Sequence, residues 1–286
     1  MILSPALPSQ PALWPSVLAI LAYLFAAAWP GGATGGSARH ERPIWAALWV
    51  GWLAQAVAIV LDTVITQHGA IGARFGFGAA LSITSWLVIA VYAFESRRLG
   101  LPSVRRVLAV LAAVTVALGW LFPGRLQAVQ GLSWAPLHWL LGFASYGLFG
   151  AALLHAALWR HTERQLRAPP SASGTLPLQA LQGGVLGMPL LRLEALTIQF
   201  VLAGFVMLTL TLLLGFITTP WHWDHKSIFS MLSWMVFAIL LIGRVRFGWR
   251  GRMAIRWLVA GSTLLLLAYV GSRFVLEVIL HRGNPV

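Results

Sequence analysis

The chain contains no cysteine, a single lysine and only seven acidic residues among 286. Without thiols it can form no disulfide, no CxxC redox pair, no thiolate metal site and no covalent CxxCH attachment, so any redox chemistry belongs to a partner or a bound group. Charge of either sign is scarce. Charged residues make up 9% of the sequence and hydrophobic ones 59%, where a soluble domain is roughly a quarter charged, and a water-soluble fold is excluded. The two-residue alternation of outer-membrane strands is also missing.

What is present is apolar sequence in long blocks, separated by short stretches that carry Arg, Gly or Pro. Lipid offers no partner for an unpaired backbone group, so such blocks read as helices that bond internally. The expected fold is all-α, a polytopic membrane protein and a single transmembrane domain over residues 1–286. Spans fall at about 14–29, 44–66, 75–95, 104–121, 134–159, 196–217, 227–243 and 253–275. Each suits a hydrocarbon core of about 30 Å. The uncharged start lacks a basic n-region and reads as a first span rather than a cleaved signal.

The net charge of +13 would suggest nucleic acid in a soluble protein. Here the basic residues sit in inter-helix loops, no aromatic-interleaved basic domain exists, and nucleic acid is not an expected partner. Of the 20 basic residues, 15 fall in the loops after spans one, three, five and seven, and five fall on the other side. The positive-inside rule then puts both termini outside. The longest connection, about 160–195, holds Pro169, Pro170 and Gly174 and reads as a flexible linker followed by an interfacial segment.

Eight histidines occur, and on this topology His68, His138, His222, His225 and His281 fall on the outer side, whereas His40, His155 and His161 fall inside. A lone interfacial His is usually structural; five on one face raise the case for iron or another metal. The densest run is Trp221, His222, Trp223, Asp224, His225 and Lys226, before span seven. Its two indoles offer flat apolar surface for a porphyrin, His222 or His225 a ligand, and Lys226 a cation for a propionate. The plainer alternative is an aromatic belt at the interface, with Asp224 capping the next helix near Ile228.

Trp223, Asp224, His225 and Lys226, with the helix through Trp234 and Phe237, resemble the tryptophan-rich signature of cytochrome c assembly proteins, in which a WDPKE-type run opens a helix. Gly248, Trp249, Arg250, Gly251 and Arg252 resemble that family's GWRG turn. Ala268, Tyr269, Val270, Gly271 and Phe274 resemble its last helix, and His138, with Leu141, Gly142, Tyr146 and Gly147, its external histidine. The resemblance covers about 60–280 and is nearest the YpjD-like and HemX-like branch. It departs in the Trp-rich loop, which is shorter, and in His225 and Ser227, which replace Pro and Glu. It implies a haem-handling protein of the bacterial inner membrane that acts in cytochrome c biogenesis as an assembly factor or carrier rather than an enzyme. Haem is the implied cofactor, with His138 and His225 as axial ligands. His281 is where the family's second external histidine follows the last helix, though without its neighbours. Membrane lipid, other maturation proteins and apocytochrome are the implied partners.

Two other readings remain open. One is a HemX-like accessory or regulatory scaffold that binds no haem. The other is a small-solute or metal-ion transporter using Asp62, an intramembrane acid and so a functional candidate by default. Asp62 could pair with His68 or Arg74 across a turn and a half of helix; the plainer alternative is a neutralised or snorkelling acid. Arg273 and Glu277 read as an i,i+4 pair, and Gly142, Ser145, Gly147 and Gly150 as a close-packing face of span five.

Overall fold

The computed structural model describes residues 10–29, 38–67, 70–99, 102–122, 125–128, 134–167, 190–218 and 224–275. Each predicted span has its helix there: α1 (Gln10–Ala28), α2 (Ala38–Thr63), α3 (Phe77–Leu99), α4 (Pro102–Leu121), α5 (Ala135–Arg167), α6 (Leu190–Thr218), α7 (His225–Phe247) and α8 (Arg252–Leu266). A π-helical turn, Leu267–Gly271, and a short α9 (Ser272–Phe274) continue the last span. Among the described residues, six segments are long and apolar enough to cross a membrane: Arg42–Asp62, Val104–Leu121, Pro136–Arg164, Leu191–Ile217, His225–Phe247 and Arg252–Phe274. Ala12–Ala28 and Phe77–Ala93 are shorter apolar helices. The protein is a helical, polytopic membrane protein. Large apolar side chains such as Leu213, Phe216, Ile217 and Ile242 are exposed, as helices facing lipid require.

Two features depart from the sequence reading. The chain leaves α2 at Thr63 and forms a small antiparallel sheet of order β1-β2-β3 from β1 (Val64–Gln67), β2 (Ala70–Phe75) and β3 (Arg125–Ala128). Val64 pairs with Ala73, and Arg74 with Leu126. β-Branched Val64, Ile65 and Thr66 favour this extended backbone, and the ladder satisfies amides as they emerge from the helix. The second departure is length. α5 runs on to Arg167 and α6 begins at Leu190, so the connection is shorter at both ends than 160–195; residues 168–189 lie outside the described ones.

Contacts divide the chain into two compact units. The first comprises Met1–Ala90, Pro102–Leu137 and Leu266–Val286; the second, Val91–Leu101 and His138–Leu265. In the first, Ala19, Tyr23 and Ala26 of α1 pack with Ile44, Leu48 and Ala54 of α2 and with Ala109, Ala112, Ala113 and Val116 of α4. Small side chains let these helices approach closely, which replaces a hydrophobic driving force that lipid does not supply. A polar chain crosses this packing. Tyr23 donates to Gln55 Oε1 at 2.7 Å, the Gln55 amide donates to Ser82 O, Ser82 Oγ and Ser85 Oγ at 3.0, 3.1 and 3.2 Å, and the Ser85 and Thr115 hydroxyls are 2.6 Å apart. Trp52 and Trp86 stack at 4.7 Å and each indole N–H donates to the other residue's carbonyl.

The second unit is built on aromatic faces and glycine. Phe149 and Phe237 stack with centroids 3.8 Å apart. A Cβ on Gly204 would be 3.0 Å from the Phe149 ring, and one on Gly261 2.8 Å from the Phe237 ring. Ser233 donates to Gly261 O at 2.9 Å, and Tyr146 donates to Leu265 O.

Candidate functional site

Apart from Asp62 on α2, the candidate site residues that the structure describes lie on α5 and at the start of α7, in the second unit. The sequence Asp224-His225-Lys226-Ser227 contains a helix stop-and-start signal, and the structure uses it. Asp224 has extended backbone, with φ −92° and ψ 163°, and its carboxylate accepts from Ser227 N at 2.9 Å. This is the capping role expected for it, placed at Ser227 rather than Ile228, whose N–H donates to the Asp224 carbonyl. Burial alone would raise the Asp224 carboxyl. The side-chain and backbone hydrogen bonds of Ser227, aided by the nearby Lys226 and His225, outweigh it and hold the group below its ordinary value. His225 and Lys226 begin α7 and are exposed.

His138 lies in the first turn of α5, half-buried, with its ring against α6. A Cβ built at Gly215 would be 3.1 Å from its Cε1 and 3.6 Å from its Nδ1, so glycine makes room for the imidazole. The ring hydrogen-bonds the Thr211 backbone, and Lys226 is near enough to act on it electrostatically. Its Nδ1 is buried and has no hydrogen-bond partner. In the tautomer that carries its proton on Nε2, a histidine has a free lone pair at Nδ1, which is what a metal ligand needs. A buried imidazole nitrogen without a hydrogen-bond partner is chemically suited to a haem iron. Ligation through it requires the ring to turn away from Gly215.

The helix that follows is anchored to α6. Trp234 donates from Nε1 to Thr209 Oγ1 at 2.9 Å and stacks on Phe205 with centroids 5.5 Å apart. Its other end is fixed by the Gly-Trp-Arg-Gly turn. Gly248 and Gly251 take φ of 65° and 55°, a left-handed region that favours glycine. Trp249 folds back over Gly243 and stacks on Trp257 at 5.5 Å. Arg244 donates to Glu194 at 2.7 Å. The signature-like residues thus hold α7 in a fixed rotation.

The remaining expectations divide. Trp221, His222, Trp223 and His281 lie outside the described residues; of the proposed outer set the structure describes His138, His225, Lys226 and Asp224, with Lys226 acting electrostatically on both His138 and Asp224. Asp62 is half-buried one residue before the end of α2; because the helix stops at Thr63, helical spacing from Asp62 to His68 or Arg74 does not exist. Arg273 lies 5.9 Å from the Tyr269 ring centroid, and Glu277 is outside the described residues. Ser145 donates to Gly142 O at 2.7 Å, in keeping with a packing role. His155 is fully buried, with Nδ1 2.7 Å from Ala151 O and its ring 5.0 Å from Phe200. Among the described residues no group of three His, Asp or Glu side chains is arranged to hold a metal ion. The sequence reading missed Thr211 and Gly215, although both lie on α6 opposite a helix already marked by His138.

The family model for cytochrome c assembly proteins matches residues 45–280. The inner membrane protein YpjD of Escherichia coli (strain K12) is 29% identical over 235 residues, covering 78% of this chain and 82% of that protein. The cytochrome c biogenesis protein CcsA of Prochlorococcus marinus (strain MIT 9215) is 28% identical over 158 residues, covering 50% and 51%. CcsA of P. marinus subsp. pastoris is 37% identical over 89 residues, covering 29% and 28%. No solved structure matches the chain.

Proposed function

The chain belongs to the cytochrome c assembly protein family, and from that premise we propose that it handles haem at its outer face during cytochrome c biogenesis. It is a multi-pass protein of the inner membrane. The observation that carries the haem reading is the buried, unpartnered Nδ1 of His138, on the same unit as the exposed His225 and Lys226.

In this reading haem is cargo. His138 and His225 would hold its iron, and Lys226 would meet a propionate. Trp221 and Trp223 would cover the porphyrin face, with His222 and His281 as further outer imidazoles. Bound haem supplies iron that accepts two nitrogen ligands. The protein's own part is orientation. Thr211 fixes one side of the His138 ring, and Asp224 sets where α7 begins and therefore where His225 projects. With both termini outside, the loop at 218–226 faces the periplasm, and cargo held there is available to an apocytochrome or another maturation protein.

The test is an absorption spectrum of the purified protein supplied with haem. A Soret band that is weakened in His138→Ala and in His225→Ala, leaving a five-coordinate form, is the expected result. Absence of any band at saturating haem favours the accessory scaffold instead.

A further inference from the structure

We propose that a basic groove between α5 and α8, at the opposite end of the second unit from His138, binds the phosphate of an anionic phospholipid of the inner leaflet. The groove is a cavity of about 520 Å³. Arg160, Glu163 and Arg164 line it from α5, and Arg252 and Arg256 from α8, so four guanidinium groups meet one carboxylate among the described lining residues. Glu163 is 3.6 Å from Arg252, which offsets one of the four. The spacings are i, i+3 and i+4 on α5 and i, i+4 on α8, which put each set on one helix face.

Helix stability does not explain this placement. Cations near a helix's amino end oppose its dipole, yet Arg252 opens α8 and Arg256 follows one turn later, with no acid in the first turn. An anion in the groove would be favoured by both the guanidinium groups and the dipole. The apolar part of the lining selects among anions. Ile255 and Val259 continue the same face of α8 away from the charges, and Val259 is 45% exposed. A phosphate at the arginines with an acyl chain along Val259 matches this arrangement; a free inorganic anion uses only half of it. The positive-inside count puts these residues at the cytoplasmic leaflet, where anionic headgroups lie.

The protein is reconstituted in phosphatidylcholine nanodiscs with a minor fraction of phosphatidylglycerol, and lipid retained after release is measured by native mass spectrometry. Arg160→Gln/Arg256→Gln is compared with Arg246→Gln/Arg250→Gln, which removes the same charge from exposed positions on the same side but outside the groove. Selective phosphatidylglycerol retention should fall roughly tenfold in the groove variant only. Equal loss in both variants, or in neither, overturns the proposal, as does displacement of the lipid by excess inorganic phosphate. Haem absorption is recorded alongside. Loss of haem with retained lipid would assign the groove to the porphyrin and contradict a lipid site, whatever the spectrum of His138→Ala.

Discussion

The two units differ in how their polar groups are joined inside a membrane protein. In the first, the Tyr23 hydroxyl, the Gln55 amide and the Ser82, Ser85 and Thr115 hydroxyls form one continuous chain, and the Trp52 and Trp86 indoles satisfy each other's backbone. Its described orphans, Arg105 and Trp120, are at the two ends of α4. In the second unit, a histidine nitrogen at the head of α5 and the Ser262 hydroxyl of α8 are left unpaired, and packing relies on ring faces, glycines and the Trp234–Thr209 bond. Unpaired polar groups are costly where water is absent. The continuous network reads as scaffold, and the His138 nitrogen is the unpaired group to which the proposed function gives a ligand.

Breaking the closed network should produce the largest change. Gln55→Leu removes the amide that joins α1, α2 and α3. It leaves the Tyr23 and Ser82 hydroxyls to find other partners, at a cost of about 2 kcal/mol when membrane hydrogen bonds average near 0.6 kcal/mol each. Thermal unfolding in detergent should register the loss, while the haem spectrum stays unchanged. A stable Gln55→Leu protein with an altered spectrum would reverse the assignment of roles.

An effect of similar size is expected in the second unit, where packing rather than hydrogen bonding sets the geometry. A Cβ on Gly243 would overlap the Trp249 indole, and overpacking of this kind costs about 1–3 kcal/mol. Gly243→Ala should lower the melting temperature and, by displacing the end of α7, weaken haem retention modestly. The same substitution at Gly248 meets no neighbour within 4 Å, but its φ of 65° makes any side chain strained.

The smallest effect is at the cap. Asp224→Ala should cost about 1 kcal/mol, and Asp224→Asn, which keeps an acceptor, should be nearly silent. The folded carboxyl is held below its ordinary value, so its contribution is fully present above the unfolded pKa and fades as pH falls through the folded one. The melting temperatures of the Asp224 and Asp224→Asn proteins should therefore differ slightly at neutral pH and converge in acid, where the protonated carboxyl and the amide offer the same acceptor. Loss of haem in Asp224→Asn at unchanged stability would place the carboxylate in the site.

The sequence made the membrane architecture readable because apolar blocks of span length have one stable solution in lipid. It also marked Asp224, whose residue type and position before an apolar run define a cap. The helix ends were harder. α5 continues through Thr162, Glu163 and Arg164, where hydropathy falls but helical hydrogen bonding does not. The sheet after Thr63 was missed because its strands are only four to six residues long and pair with a segment some fifty positions away. The Gln55 network gave one readable signal, an amide inside an apolar helix, while its partners were Ser and Thr residues that blend into any span. His138 was visible as a residue, but its open Nδ1 depends on Thr211 and Gly215, more than seventy positions along the chain.

The most direct test of that open nitrogen is chemical rescue. His138→Gly protein is titrated with haem in the absence and presence of free imidazole, with His155→Gly treated in parallel. The account predicts that His138→Gly loses the six-coordinate spectrum and that imidazole restores it, while His155→Gly keeps it throughout. An unchanged spectrum in His138→Gly, or loss and rescue confined to His155→Gly, would contradict it.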